Sequence, residues 1–162
     1  MSKKKSLAVL AALVGVLVVV AACGDGVGSR LRFRQGGDAM LPSFSDGTIV
    51  DVVEYGADKP QRGDVIVFQS PTNPDRDFME RIIGVPGDRI EIRSGVVYMN
   101  DELLVEPYIT GHTGCPCGPW EVEPGKYFVL GDNRPSSSDS RVIGPIPEEN
   151  ILGRVKMKDQ PS

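Results

Sequence analysis

Gly131-Asp132-Asn133-Arg134-Pro135-Ser136-Ser137-Ser138-Asp139-Ser140-Arg141 is a run of polar and turn-forming residues that ends near Gly144. Six of its positions (Gly131, Asp132, Asn133, Arg134, Asp139 and Arg141) hold residue types whose fixed spacing chance does not readily repeat. On its N-terminal side lies a compact apolar strand, Tyr127–Leu130. On its C-terminal side Ile151–Met157 closes the folded part of the chain. The segment therefore reads as a turn-rich element held between two strands.

Strand signals recur upstream. Thr48–Tyr55 is β-branched and bounded by Gly47 and Gly56, and Val65–Phe68 is a short apolar run set up by Arg62-Gly63-Asp64. Phe78–Ile83 is a third strand. Arg89–Arg93 alternates Ile90 and Ile92 with charges, as a half-exposed strand does. Ser94-Gly95 turns the chain into Val96–Asn100, and Leu103–Val105 pairs next. Residues 70–77 read as a surface loop, and residues 108–124, rich in Gly, Pro and Cys, as an ordered loop or extension. Beyond the N-terminus the longest stretch free of both Gly and Pro is Val96–Glu106, which contains the turn pair Asn100-Asp101. Helices of ordinary length have nowhere to sit. The 162 residues, with 19 Gly and 13 Pro, predict one mainly β domain. The net charge of −4, from 18 basic and 22 acidic residues, argues against a nucleic-acid surface.

The N-terminus is a separate unit. Lys3-Lys4-Lys5 precedes Leu7–Cys23, which carries no charge. The run is short for a membrane span, which needs about 20 apolar residues, and well sized for a signal h-region. Val20-Ala21-Ala22-Cys23-Gly24 resembles the lipobox of bacterial lipoproteins, with Cys23 as the lipidated residue. A plain transmembrane anchor is the other reading. Both leave the lysines in the cytoplasm and the domain on the extracytoplasmic face of the cell membrane. Residues 1–23 are thus the anchor, 24–36 a linker, 37–157 the β domain and 158–162 a tail. Within the linker Leu31 and Phe33 alternate with Arg30, Arg32 and Arg34, as a strand or an interfacial segment would.

Four segments in order resemble the type I signal peptidase family, Ser–Lys serine endopeptidases that cut signal peptides from exported proteins. The first is Gly37-Asp38-Ala39-Met40-Leu41-Pro42-Ser43, against Gly-x-Ser-Met-x-Pro followed by Thr or Ser. The second is Arg62–Phe68. The third is Phe78-Met79-Glu80-Arg81-Ile82-Ile83-Gly84-Val85-Pro86-Gly87-Asp88, where the family has Lys before Arg-Ile-Ile-Gly. The fourth is the run quoted at the outset. The resemblance spans about residues 36–155 and also touches Asn100 and Glu106-Pro107. It implies a signal-peptidase-like β-barrel or sheet fold, with signal peptides or other extended peptides as partners.

The match puts the nucleophile at Ala39 and the general base at Glu80. Alanine offers only a methyl group and cannot form an acyl-enzyme. A buried lysine turns neutral and can take a proton, whereas a buried carboxylate is pushed toward its protonated form. Both halves of the dyad are replaced. The resemblance further implies that Ser137 assists the base, that Asp139 and Arg141 support the site, and that Gly131–Arg134 frame it. It also implies an added peptide strand between Gly37–Met40 and Asp77–Met79, with Met40, Phe78 and Met79 as substrate contacts. For Met40 and Met79 plain core packing is the competing reading.

Two substitutes for the lost chemistry come from the residues themselves. Ser43 is a hydroxyl near position 39, but four extended residues separate it from that point by about 13 Å. Glu80 with Asp38, Asp132 and Asp139 makes a carboxylate cluster able to hold a water or a metal. The plainer alternative is an ion pair from Glu80 to Arg141, Arg134 or Arg76. Cys115-Pro116-Cys117 permits a strained disulfide, free thiols or pairing with another molecule. His112 with these cysteines offers at most three metal ligands from one loop, a weak signal for zinc. No cofactor or metal is expected.

Overall fold

The computed structural model describes residues 30–114 and 117–157. Eleven strands form two antiparallel sheets among these residues. In chain order they are β1 (Arg30–Arg34), β2 (Ile49–Val53), β3 (Val65–Ser70), β4 (Asn73–Gly84), β5 (Arg89–Arg93), β6 (Val96–Met99), β7 (Glu102–Leu103), β8 (Cys117–Glu121), β9 (Lys126–Leu130), β10 (Ile146–Pro147) and β11 (Ile151–Val155). The larger sheet runs β1-β2-β11-β3-β4-β9-β10 and the smaller β7-β6-β5-β8. The sole α-helix among the described residues, α1 (Ser140–Ile143), is one turn long. None of these residues forms a helix long and apolar enough to cross a membrane. The apolar run Leu7–Cys23, including Cys23, lies outside the described residues.

Side-chain alternation sorts the core. In β3, Val65 and Val67 join one buried cluster with Met40, Val50, Val52, Met79 and Val155, whereas Ile66 and Phe68 join another with Ile82, Val129 and Ile146. The strand is buried on both faces, which is why it is an unbroken apolar run. Strand β9 does the same for the second sheet. Its Phe128 and Leu130 pack on Ile90, Ile92 and Val97, while Tyr127 and Val129 face the second cluster. The small sheet is thus attached through the back of β9.

Turn chemistry sets the hairpins. Ser94 and Gly95 both have positive φ (51° and 80°), which twists the β5–β6 connection the way flanking strands require. Asn100 and Asp101 (φ 51° and 68°) repeat this between β6 and β7.

Three expectations are corrected. Residues 70–77 are not a loop: β4 starts at Asn73, and Asp77 pairs with Gln69. These residues are polar and exposed on both faces, so no alternation marks them, but ladder pairing needs only backbone. Residues 108–124 contain β8, which pairs with the outer edge of β5. The strand expected at Leu103–Val105 is Glu102–Leu103, and Val105 is exposed. The arginine-rich segment takes the first of its two readings, since β1 pairs in register with β2 from Arg30↔Val53 to Arg34↔Ile49. Cys117 is held in a disulfide; Cys115 lies outside the described residues.

Candidate functional site

Strand β4 carries the centre of the site. It is paired with β3 from Arg81 back to Asn73 on one side, but β9 meets its other side only from Arg81 onward. The edge from Asp77 to Glu80 is therefore left without a strand partner. Along this edge runs a groove of about 550 Å3. It is lined by Phe33–Ala39, Asp75–Glu80, Ser136 and Ser138. Gly37, Ala39, Phe78, Met79 and Glu80, five of the residues singled out from the sequence, meet here. Met40 does not: it is fully buried in the first core cluster. Met79 serves both, with its side chain in that cluster and its surface on the groove.

The loop after β9 clamps the Ala39 backbone. The Asn133 N–H donates to the Ala39 carbonyl at 2.9 Å, and the Asn133 side-chain amide donates to the Asp38 carbonyl at 3.0 Å. Gly131 lies so close that a Cβ added there would come within 2.5 Å of the Ser137 side chain and 2.7 Å of the Ala39 carbonyl oxygen. Only glycine fits between these two segments.

Ser137 reaches β4, where its hydroxyl donates to Glu80 Oε1 at 2.9 Å. Asp139 caps α1 and accepts from the Gly131 N–H at 3.1 Å. Arg141 grips both oxygens of Asp139 at 2.7 Å and also reaches the Arg134 carbonyl. Arg134, itself buried, donates to the Gly131 carbonyl, to Thr113 and to both oxygens of Glu106. Gly131, Asn133, Arg134, Asp139 and Arg141 thus form a hydrogen-bonded turn beside Ala39 and Glu80, while the sixth fixed position, Asp132, bonds Ser43 and Arg81.

Glu80 is 1% exposed, and its Oε2 is, among the described residues, the one buried side-chain polar atom without a hydrogen-bond partner. The ion pair weighed for it does not form. Arg141 is taken by Asp139 and Arg134 by Glu106, and Arg76 makes no such pair. Burial first, then the charge of Asp139 and more weakly of Asp132, hold its carboxyl well above the ordinary value of 4.5. The Ser137 hydrogen bond and Arg141 oppose this without reversing it. Burial thus pushes this carboxyl toward its protonated form. No group of three or more His, Cys, Asp or Glu able to hold an ion occurs among the described residues.

A stability prediction follows from linkage. A carboxyl whose folded pKa is raised adds nothing unfavourable below its unfolded value, here 4.5, where both states are protonated. As pH rises above that value the unfolded chain ionises while the folded one keeps its proton, so stability falls until the folded pKa is passed. The melting temperature, followed by circular dichroism, should drop as pH rises from about 4.5, and Glu80→Gln should remove a large part of that slope. Parallel curves for the two proteins would refute this protonation state.

Ser43 is committed elsewhere. Its hydroxyl donates to Asp132, which also accepts two bonds from Arg81, at 2.8 and 2.7 Å. The Arg81 guanidinium stacks 4.1 Å from the Tyr108 ring centre. Glu80 and Arg81 are consecutive in a regular strand and point to opposite faces. Ser43, on the Arg81 side, is out of reach of Glu80 as a base. Sequence reading missed this Ser43–Asp132–Arg81–Tyr108 network and the Glu106–Arg134–Thr113 contact. The only signal was that Arg81, Asp132 and Arg134 fall within quoted motifs.

Comparison with known proteins agrees with the geometry. The family described as signal peptidase, peptidase S26, matches residues 6–158. The chain is 37% identical over 134 residues to a signal peptidase I of Leptolyngbya laminosa, covering 76% of this chain and 66% of that one. It is 38% identical over 131 residues to a probable signal peptidase I-2 of a Synechocystis species, covering 76% and 60%. Signal peptidase IB of Staphylococcus aureus (strain COL) is 33% identical over 145 residues, covering 77% of this chain and 75% of that protein. The crystal structure of a signal peptidase I from Enterococcus faecalis V583 aligns with a TM-score of 0.53 at 34% identity, covering 60% of this chain and 97% of that one. The chain spans just under two thirds of the length of the first two relatives.

Proposed function

The chain belongs to the signal peptidase family, peptidase S26, and on that premise we propose that it holds extended exported peptides without cutting them. Acyl transfer by a Ser–Lys pair needs a hydroxyl to attack the peptide carbonyl and a neutral amine to take its proton. Position 39 supplies a methyl group. Position 80 supplies a buried acid that favours keeping its own proton. That buried Glu80, tied to Ser137 and lacking an ion-pair partner, is the observation that carries the reading.

Binding needs less. The Asp77–Glu80 edge of β4 and the facing Gly37–Ala39 segment border a groove sized for one extended chain. A peptide entering it adds a strand to the sheet. Main-chain hydrogen bonds supply the affinity, and contacts at Phe78 and Met79 select side chains. Ser137, Asp139 and Arg141 keep the groove walls in register rather than serving a reaction. The apolar run Leu7–Cys23, lipidated at Cys23 or left as a span, holds the domain at the extracytoplasmic surface of the membrane, where exported peptides pass.

The test uses the full chain purified in detergent and a fluorescein-labelled peptide containing a signal-peptide cleavage site. Anisotropy should rise saturably and be reversed by unlabelled peptide, while chromatography shows no cleaved product. Turnover abolished by Ser43→Ala would overturn the reading in favour of a rearranged peptidase. Absence of binding would leave only a surface module using the fold.

A further inference from the structure

Pairing as a strand settles the backbone of β1 but not the surroundings of its arginines. Register sorts the side chains of β1, β2 and β11 onto two faces. Val50, Val52 and Val155 turn to the first core cluster, with Phe33 packed against it. The other face receives Arg32 and Arg34 from β1, Ile49 and Asp51 from β2, and Arg154 from β11. Lys156 follows at the level of Asp51, whose carbonyl accepts from the Lys156 N–H. All six side chains are exposed.

This face is basic in an acidic domain. It holds four cations and one carboxylate, Asp51, which lies 3.6 Å from Arg32. Arg34, Arg154 and Lys156 form no ion pair among the described residues. Residues 30–162 as a whole carry 15 basic and 21 acidic residues, so the cations are gathered here against the general balance. The face also lies next to the N-terminal apolar run. Arg30 opens β1 seven positions after Cys23, and an extended chain covers at most about 3.6 Å per residue, which keeps β1 within about 25 Å of the end of that run.

We propose that the exposed face of β1, β2 and β11 docks on the anionic phospholipid headgroups of the membrane that holds the chain. This rests on the membrane-anchored reading above and adds how the domain is turned on that surface. Guanidinium groups hold phosphate oxygens through paired, charge-assisted hydrogen bonds. Each basic residue brought to an anionic bilayer surface adds about fivefold to the affinity. The exposed Ile49 gives the same face an apolar contact. Phe33 and Arg34 of β1 also line the groove, so docking brings the groove to the bilayer surface.

The closing experiment places the full chain in nanodiscs of phosphatidylcholine alone or of phosphatidylcholine mixed with phosphatidylglycerol, and follows amide hydrogen exchange by mass spectrometry. In the anionic discs exchange of β1 and β2 should slow by about fivefold or more, while β9, buried in the core, should exchange alike in both. In 1 M salt charges reach only about 3 Å, so the protection should vanish. Arg32→Glu, Arg154→Glu and Lys156→Glu together should abolish it, with circular dichroism and β9 exchange reporting the fold. Gln at the same three positions should weaken it in the same direction and serves if the reversal disturbs folding. Equal exchange of β1 and β2 in the two discs would overturn the proposal and leave the arginines as guards of a strand edge. Protection that survives salt or the substitutions would also overturn it, since charge would not be its cause. A chain that enters neither kind of disc would remove the anchored reading and this proposal together.

Discussion

Signal-peptide cleavage should increase by at least about a thousandfold when Ala39→Ser and Glu80→Lys are made together, and by little when either is made alone. Members of a nucleophile–base unit act together, so removing one costs nearly as much as removing all. Ala39→Ser alone places a hydroxyl beside an acid that favours keeping its proton. Glu80→Lys alone provides an amine with nothing to activate. Together they meet surroundings that remain in place. The Asp38 and Ala39 carbonyls are each held by one bond from Asn133, so a serine hydroxyl would be directed by the same clamp. The Ser137 hydroxyl already touches the position-80 side chain, and burial there would push a lysine toward its neutral form. Product release followed by chromatography reads the outcome directly. A double variant no faster than the single ones would mean that the site has lost more than its reactive pair.

Asp132→Ala should destabilise the domain by about 3–5 kcal/mol, the usual consequence of leaving one charge of a buried pair uncompensated. The Asp132 side chain is 0% exposed and that of Arg81 9%. The substitution removes both Arg81–Asp132 bonds and the acceptor for Ser43, and leaves the guanidinium against the Tyr108 ring with the Gly63 carbonyl and a 3.5 Å bond to the Ser43 hydroxyl as its remaining polar anchors. Asp132→Asn retains the shape and one acceptor and should cost less. Urea unfolding midpoints distinguish these outcomes. A loss below about 1 kcal/mol would place this pair with weak, solvent-screened ones. Peptide binding should fall as well, because Asp132 precedes the Asn133 that clamps Ala39.

Much of this molecule was legible before any coordinates. Val65–Phe68, Arg89–Arg93 and Tyr127–Leu130 announce themselves by apolar content or alternation, because burying those side chains is what makes them strands. Asn73–Asp77 did not, because it joins its sheet through backbone and stays exposed, and Cys117–Glu121 did not, because only Cys117 and Trp120 pack on the core. At the site, the motif at Gly131–Arg141 correctly drew Ser137, Asp139 and Arg141 to the same place as Ala39 and Glu80. What it could not convey was who pairs with whom. Arg141 had six carboxylates within the matched segments to choose from, and Arg134 chose Glu106, 28 positions away.

By itself, then, the sequence determined a mainly β chain with the frame of a signal peptidase and with alanine and glutamate at positions 39 and 80. Only the tertiary structure decided the fate of Glu80. Whether a carboxyl is a paired anion, a metal ligand or a neutral acid depends on which charges lie within a few ångströms and how much water is excluded. Those quantities arise from contacts between β4, the turn after β9 and the start of α1, segments more than fifty positions apart. Here they place both nearby arginines on other acids and leave Glu80 buried with one oxygen to spare.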